Sequence, residues 1–100
     1  MDRTFSILVV DDESQIRRFL RIALEAHAYE VVEAATGREA VHKAATEEPR
    51  LVVLDLGLPD MDGKEIIARI REWSQVPILV LSVRRGETEK VTALDAGAQD

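Results

Sequence analysis

Three stretches of this chain repeat one pattern. Ile7-Leu8-Val9-Val10 runs into Asp11, Leu51-Val52-Val53-Leu54 runs into Asp55, and Ile78-Leu79-Val80-Leu81 runs into Ser82. Each is a continuous apolar run rich in β-branched residues, as expected of a strand covered on both faces of a parallel sheet. Each stops at a small side chain bearing oxygen. A fourth run, Glu30-Val31-Val32-Glu33-Ala34, carries more charge and suits an edge strand with one side in water.

Helical periods fill the intervals. From Ser14 to His27 the apolar positions Ile16, Phe19, Leu20, Ala23 and Leu24 form one stripe expected to be buried, with Arg17, Arg18, Arg21 and Glu25 on a solvated face. Thr36 and Glu39 have capping-box spacing, the helix continues through Ala40, Val41, Ala44 and Ala45, and Pro49 follows its end. Asp62 is placed to cap a third helix with Ile66, Ile67, Ile70 and Trp73 along its stripe. A weaker pattern predicts a fourth helix over Glu87–Ala96, half exposed, with Gly97 as its C′ residue.

Strands alternating with helices imply an open parallel sheet covered on both faces. The polar second strand gives the order 2-1-3-4, and right-handed crossovers set helix 1 on one face and helices 2, 3 and 4 on the other. Strand 4 is as apolar as the central strands, yet no further strand follows it before Asp100. A fragment ending there is expected to be unstable, or to associate through strand 4 and the thinly covered helix 1 face.

The topology predicts the chemistry. Ligands of open α/β sheets bind at the carboxyl ends of the strands, where strand order reverses. Strands 1 and 3 flank that point, so Asp11 or Asp12 should meet Asp55 there, with Ser82 at the neighbouring strand end. Clustered carboxylates raise one another's pKa, and a divalent cation resolves the repulsion. An all-oxygen donor set suits Mg²⁺. An ionised carboxylate is also a nucleophile toward a phosphoryl group, and a hydroxyl such as that of Ser82 would hold a transferring oxygen. Taken singly, each feature has a plainer reading: Asp11, Asp12 and Glu13 as acids at a helix N-terminus, Ser82 as a cap or turn residue, and Pro59 and Gly63 as loop punctuation.

Composition narrows the setting. The chain has 100 residues, 46% hydrophobic and 32% charged, which fits one globular domain. A net charge of −6 argues against a nucleic-acid surface on this segment. Without cysteine there are no disulfides or thiolate metal sites. No stretch has the length of a membrane span or a signal-peptide core, so the cytoplasm is the expected location. His27 and His42 are expected to face solvent, and Arg84 and Arg85 to lie in a solvated loop.

Val9-Val10-Asp11-Asp12-Glu13, Val53-Leu54-Asp55-Leu56-Gly57-Leu58-Pro59-Asp60-Met61-Asp62-Gly63 and Val80-Leu81-Ser82, taken in this order, resemble the motifs of bacterial response regulator receiver domains. Ile16-Arg17-Arg18-Phe19-Leu20-Arg21, Leu54–Asp60 and Ala93-Leu94-Asp95-Ala96-Gly97-Ala98 resemble KdpE-type regulators of the winged-helix (OmpR/PhoB-like) group. The resemblance implies a flavodoxin-like (CheY-like) fold, with residues 1–100 forming a receiver domain truncated before its fifth strand and fifth helix and lacking its output domain. It implies that Asp55 accepts a phosphoryl group from a sensor histidine kinase. The metal would be Mg²⁺, held by Asp12, Asp55 and the Gly57 carbonyl, with Asp11 acting through water. Ser82 would be the switch hydroxyl, and Pro59 and Gly63 would shape the loop.

Phosphorylation would then reshape a dimerisation surface and control transcription through a DNA-binding domain outside this chain. The lysine and aromatic residue of the fifth strand would lie beyond Asp100, and Val83 stands where alanine is usual. Two other classes compete. One is a non-phosphorylated interaction module, which a receiver without that lysine would suit. The other is a Mg²⁺-dependent phosphatase, a turnover enzyme disfavoured because Gly57 occupies the position where such enzymes carry a second acid.

Overall fold

In the computed structural model, which describes residues 5–82 and 90–92, the elements are β1 (Ser6–Val10), α1 (Ser14–Glu25), β2 (Glu30–Ala34), α2 (Gly37–Glu47), β3 (Leu51–Asp55), α3 (Gly63–Arg71), β4 (Ile78–Ser82) and β5 (Lys90–Thr92). The sheet order is β2-β1-β3-β4-β5, with β2, β1, β3 and β4 mutually parallel. The order expected for the first four strands is the one observed, and β2 is the polar edge.

Period-two alternation divides the central strands between two layers. Leu8, Val10, Val52, Leu54, Ile78 and Val80 pack with Ala40 and Ala44 of α2 and with Ile66, Ile67 and Ile70 of α3. Ile7, Val9, Val31 and Val53 face the other way, toward Leu20 and Leu24 of α1. The α2/α3 layer is the drier one, and all three isoleucines of α3 are buried.

Local signals set the helix starts. Thr36 Oγ1 accepts from the Glu39 amide at 3.1 Å, while Glu39 Oε1 reaches back to the Ala35 amide at 2.9 Å. This is a capping box whose return bond lands one residue early. Asp62 Oδ1 accepts from the Lys64 amide at 3.0 Å and starts α3. A side chain at Gly37 would meet Met61 Cβ at 2.7 Å and Ile66 Cδ1 at 2.9 Å, so glycine lets α2 begin against the β3–α3 loop.

Three expectations need correction. The helix predicted over Glu87–Ala96 is not what residues 90–92 form. They pair antiparallel to β4, Ser82 against Lys90, Leu81 against Val91 and Val80 against Thr92. A helix there would bury little beyond Val91 and Leu94 and would leave β4 with an unpaired edge. The strand occupies that edge, and residues 83–89 are too few for the crossover a parallel partner needs. The rest of the predicted helix, together with Val83, Arg84, Arg85, Gly97 and the motif at 93–98, lies outside the described residues. β5 pairs with Val80, Leu81 and Ser82, so that part of the β4 edge has a partner within the chain, and the pairing does not extend to Ile78 and Leu79.

The second correction concerns α1, where no residue is fully buried. Leu20 and Leu24 reach the sheet, but Phe19 is 68% exposed and Ile16 is also exposed. The heptad pattern identifies a shared helix face wider than the surface α1 contacts. Ile22, outside the predicted stripe, is 62% exposed. Third, Trp73 lies beyond the end of α3 and is 48% exposed rather than continuing its buried stripe.

Candidate functional site

β1 and β3 are adjacent and parallel, with Val10 opposite Leu54, so both strands deliver their next residues to the same rim. Asp11, Asp12 and Asp55 each bring a carboxylate oxygen there, all within 4.8 Å of one another. The expected meeting of the acidic pair with Asp55 is therefore what the fold produces. The three differ in surroundings: Asp11 is buried, Asp55 is half-buried and Asp12 is exposed.

Asp11 is fixed from three directions. Its amide donates to the Ala34 carbonyl at 3.1 Å, its Oδ1 accepts from the Glu13 amide at 2.8 Å, and its carbonyl accepts from Arg17 Nη1 at 2.8 Å. Burial pushes the Asp11 carboxyl above its ordinary range. The Glu13 amide opposes that shift, and the charges of Asp55, Asp12 and Glu13 add to it. A carboxyl with a raised native pKa binds its proton more tightly folded than unfolded. Its contribution to stability therefore declines as pH rises from the unfolded value through the native one, and the full penalty persists at neutral pH. Asp11→Asn keeps an oxygen for the Glu13 amide and removes the charge. It is expected to raise unfolding stability at pH 7 by about 0.5–2 kcal/mol, with the gain shrinking in acid. Urea titrations at pH 7 and pH 3 check this, and a destabilised variant at pH 7 would refute it.

Asp55 Oδ1 accepts from the Gly57 amide at 3.2 Å, which turns the chain immediately after β3. A Cβ at Gly57 would stand 3.8 Å from both Asp55 oxygens, in ordinary van der Waals contact, so glycine keeps side-chain atoms off that flank of the carboxylate. Further along, Asp60 accepts from the Gly37 and Arg38 amides at 2.8 and 3.1 Å, and those two bonds hold its carboxyl below the usual range. Pro59 is exposed, and Gly63 is buried where a Cβ would strike the Leu56 side chain. Ser82 is one residue past Leu81, the β4 partner of Asp55, and so shares the rim; its hydroxyl lies outside the described part.

Two parts of this rim escaped the sequence reading. Arg17 and Arg21 are not simply solvated: their Nε atoms donate to the two oxygens of Glu33, at 2.8 and 2.6 Å. Those bonds, Arg21 first and Arg17 second, hold Glu33 below its ordinary pKa. Their i,i+4 spacing was the available signal, since it puts both arginines on one side of α1. Asp60 was visible only as part of a motif, and its role depends on α2 arriving beside it.

Three carboxylates on one rim, one of them buried with a single amide partner on its side chain, leave negative charge unmatched. Such a donor set fits a hard divalent cation with oxygen ligands. Among the described residues, no helix is long and apolar enough to cross a membrane.

Known proteins agree with this arrangement. The model of the response regulator receiver domain family matches residues 7–100. The chain is 54% identical over 95 residues to the KDP operon transcriptional regulatory protein KdpE of Escherichia coli K12, covering 95% of this chain and 42% of that protein. It is 50% identical over 94 residues to KdpE of Mycobacterium tuberculosis H37Rv, covering 94% and 42%. The transcriptional regulatory protein SrrA of Staphylococcus aureus NCTC 8325 is 42% identical over 94 residues, covering 94% and 39%. The chain thus spans about two fifths of the length of these relatives. Among solved structures, a receiver domain from Methanospirillum hungatei JF-1 superposes with a TM-score of 0.77 at 31% identity, covering 80% of this chain and 65% of that one. The chemotaxis response regulator CheY4 of Vibrio cholerae gives 0.74 at 34%, covering 78% and 68%. With a family match across nearly its whole length, a CheY-like sheet and an acidic rim at the strand-order reversal, the chain belongs to the response regulator receiver domains of two-component systems.

Proposed function

We propose that this domain accepts a phosphoryl group on Asp55, with Mg²⁺ bound beside it, and relays that event to an output function in transcription. The observation that carries the proposal is the convergence of Asp11, Asp12 and Asp55 within 4.8 Å on the rim shared by β1 and β3. Asp12, Asp55 and the Gly57 carbonyl are the proposed metal ligands, with Asp11 acting through water. When bound, Mg²⁺ supplies charge neutralisation for the transferring oxygens.

Asp55 attacks phosphorus with a carboxylate oxygen. The new O–P bond forms as the donor's P–N bond to a kinase histidine, or P–O bond in an acyl phosphate, breaks, and the donor leaves with the bonding pair. The Gly57 amide keeps Asp55 Oδ1 turned toward the loop, so Oδ2 is the oxygen proposed to react. The Ser82 hydroxyl is proposed to donate to a phosphoryl oxygen and to draw its strand end inward. Pro59 and Gly63 keep the loop's course. The partners that follow are a sensor histidine kinase and a second copy of the domain, with DNA engaged only through a domain outside residues 1–100. Receiver domains are regulators rather than turnover enzymes, and Gly57, in place of a second acid, accords with that.

The test is chemical mapping. The protein is incubated with Mg²⁺ and a small acyl phosphate, trapped by borohydride reduction, and digested for peptide mass analysis. Modification is expected at Asp55 and to disappear with EDTA. Modification at another residue, or none, would remove the proposal. The exposed apolar side chains of α1 favour a second reading, an interaction module without phosphochemistry, and absence of labelling would support it.

A further inference from the structure

We propose that Arg17 is a positioning residue for the metal site, holding the peptide that joins Asp11 to Asp12, and that Glu33 keeps the guanidinium on that task. The inference rests on the metal reading above and adds two residues that touch neither metal nor phosphoryl group.

The Asp11 carbonyl and the Asp12 amide belong to one planar peptide unit. Its tilt sets where the exposed Asp12 side chain starts and how it faces Asp55. Arg17 Nη1 donates to that carbonyl at 2.8 Å. On the other side of Asp11, the amide donates to Ala34 in β2 at 3.1 Å. The turn leaving β1 is thereby held from α1 and from β2 at once, although the Asp12 side chain is itself exposed to solvent.

Arg17 makes its second bond away from the acids. Nε donates to Glu33 Oε1 at 2.8 Å, and Arg21 Nε takes the other oxygen at 2.6 Å. The Arg17 side chain is mostly buried, at 18% exposure. Glu33 therefore does two things. It fixes the guanidinium plane so that Nη1 reaches the Asp11 carbonyl. It also supplies the counter-charge, so Arg17 has a carboxylate partner outside the Asp11, Asp12 and Asp55 cluster. A guanidinium that swung onto those acids would compete with a divalent cation for the same oxygens. The rigid fork of arginine suits this double grip, whereas the ammonium of lysine is a point charge.

The experiment measures Mg²⁺ binding alone, by calorimetry on the full chain without a phosphoryl donor, beside urea unfolding. Arg17→Ala is expected to weaken Mg²⁺ about tenfold, as loss of an outer-shell partner typically does. Arg17→Lys is expected to recover only part of that loss, and Glu33→Gln to weaken binding as well. Arg21→Ala removes the other partner of Glu33 without touching Asp11, and its Mg²⁺ affinity is expected to stay within about twofold of the parent, well short of an outer-shell loss. Parent-like affinity in both Arg17 variants would overturn the proposal. So would equal weakening by Arg21→Ala, which would mean that α1 anchoring in general is at stake. If Arg17→Ala does not fold, Arg17→Lys decides. A parent protein that binds no Mg²⁺, or whose binding survives Asp12→Asn, would instead overturn the metal reading itself, and this inference with it.

Discussion

Replacing Asp55 by asparagine is expected to reduce phosphoryl uptake to background while leaving the fold intact. The substitution is nearly isosteric, and the Asn oxygen can still accept from the Gly57 amide, the bond Asp55 Oδ1 makes at 3.2 Å. What disappears is the anionic oxygen, because an amide nitrogen with a delocalised lone pair does not attack phosphorus at neutral pH. One negative charge also leaves a rim where three carboxylates lie within 4.8 Å, so stability should hold or rise. Asp12→Asn provides the comparison. It retains the nucleophile and weakens the proposed cation site, and labelling should slow by about 10²–10³-fold, the usual scale for losing a main electrostatic stabiliser. Intact mass against time, with urea midpoints for each variant, checks both. Undiminished labelling of Asp55→Asn would place the acceptor elsewhere.

The second large effect is on stability. Ile66 is fully buried between α3 and the sheet, and Ile66→Ala is expected to cost about 2–5 kcal/mol. Domain stability is only about 5–15 kcal/mol in total, so much of the folded population is at stake. Gly37→Ala should destabilise by about 1–3 kcal/mol through overpacking, since its Cβ would lie 2.9 Å from Ile66 Cδ1 and 2.7 Å from Met61 Cβ. Shortening Ile66 relieves the first contact and not the second. The double variant should therefore lose less than the two single losses combined, a coupling that a double-mutant cycle in urea measures. A loss below about 1 kcal/mol for Ile66→Ala would contradict the packing described here.

Much of this architecture was legible because each signal was local or strictly periodic. Apolar runs ending at Asp11, Asp55 and Ser82, with the more polar run Glu30–Ala34 at the edge, place four parallel strands and their shared rim. Thr36 and Asp62 mark helix starts through bonds spanning three residues or fewer. The failures share a different cause, since each depends on how much surface a neighbour offers. The α1 stripe is correct as a helix face, yet the sheet meets only Leu20 and Leu24 of it. Lys90, Val91 and Thr92 sit within a helical period, but the open edge of β4 decides their state. Arg17 and Arg21 look like ordinary surface cations until β2 brings Glu33 to them.

The loop leaving Asp55 is pinned at both ends. Gly57 is tied to Asp55 itself, and Asp60 is bonded to the first amides of α2. A segment clamped this way resists displacement when its first residue gains bulk and charge. Were Asp55 to gain a phosphoryl group as proposed, the expected displacement would run sideways, across the sheet toward the end of β4, with α2 as the wall that braces it.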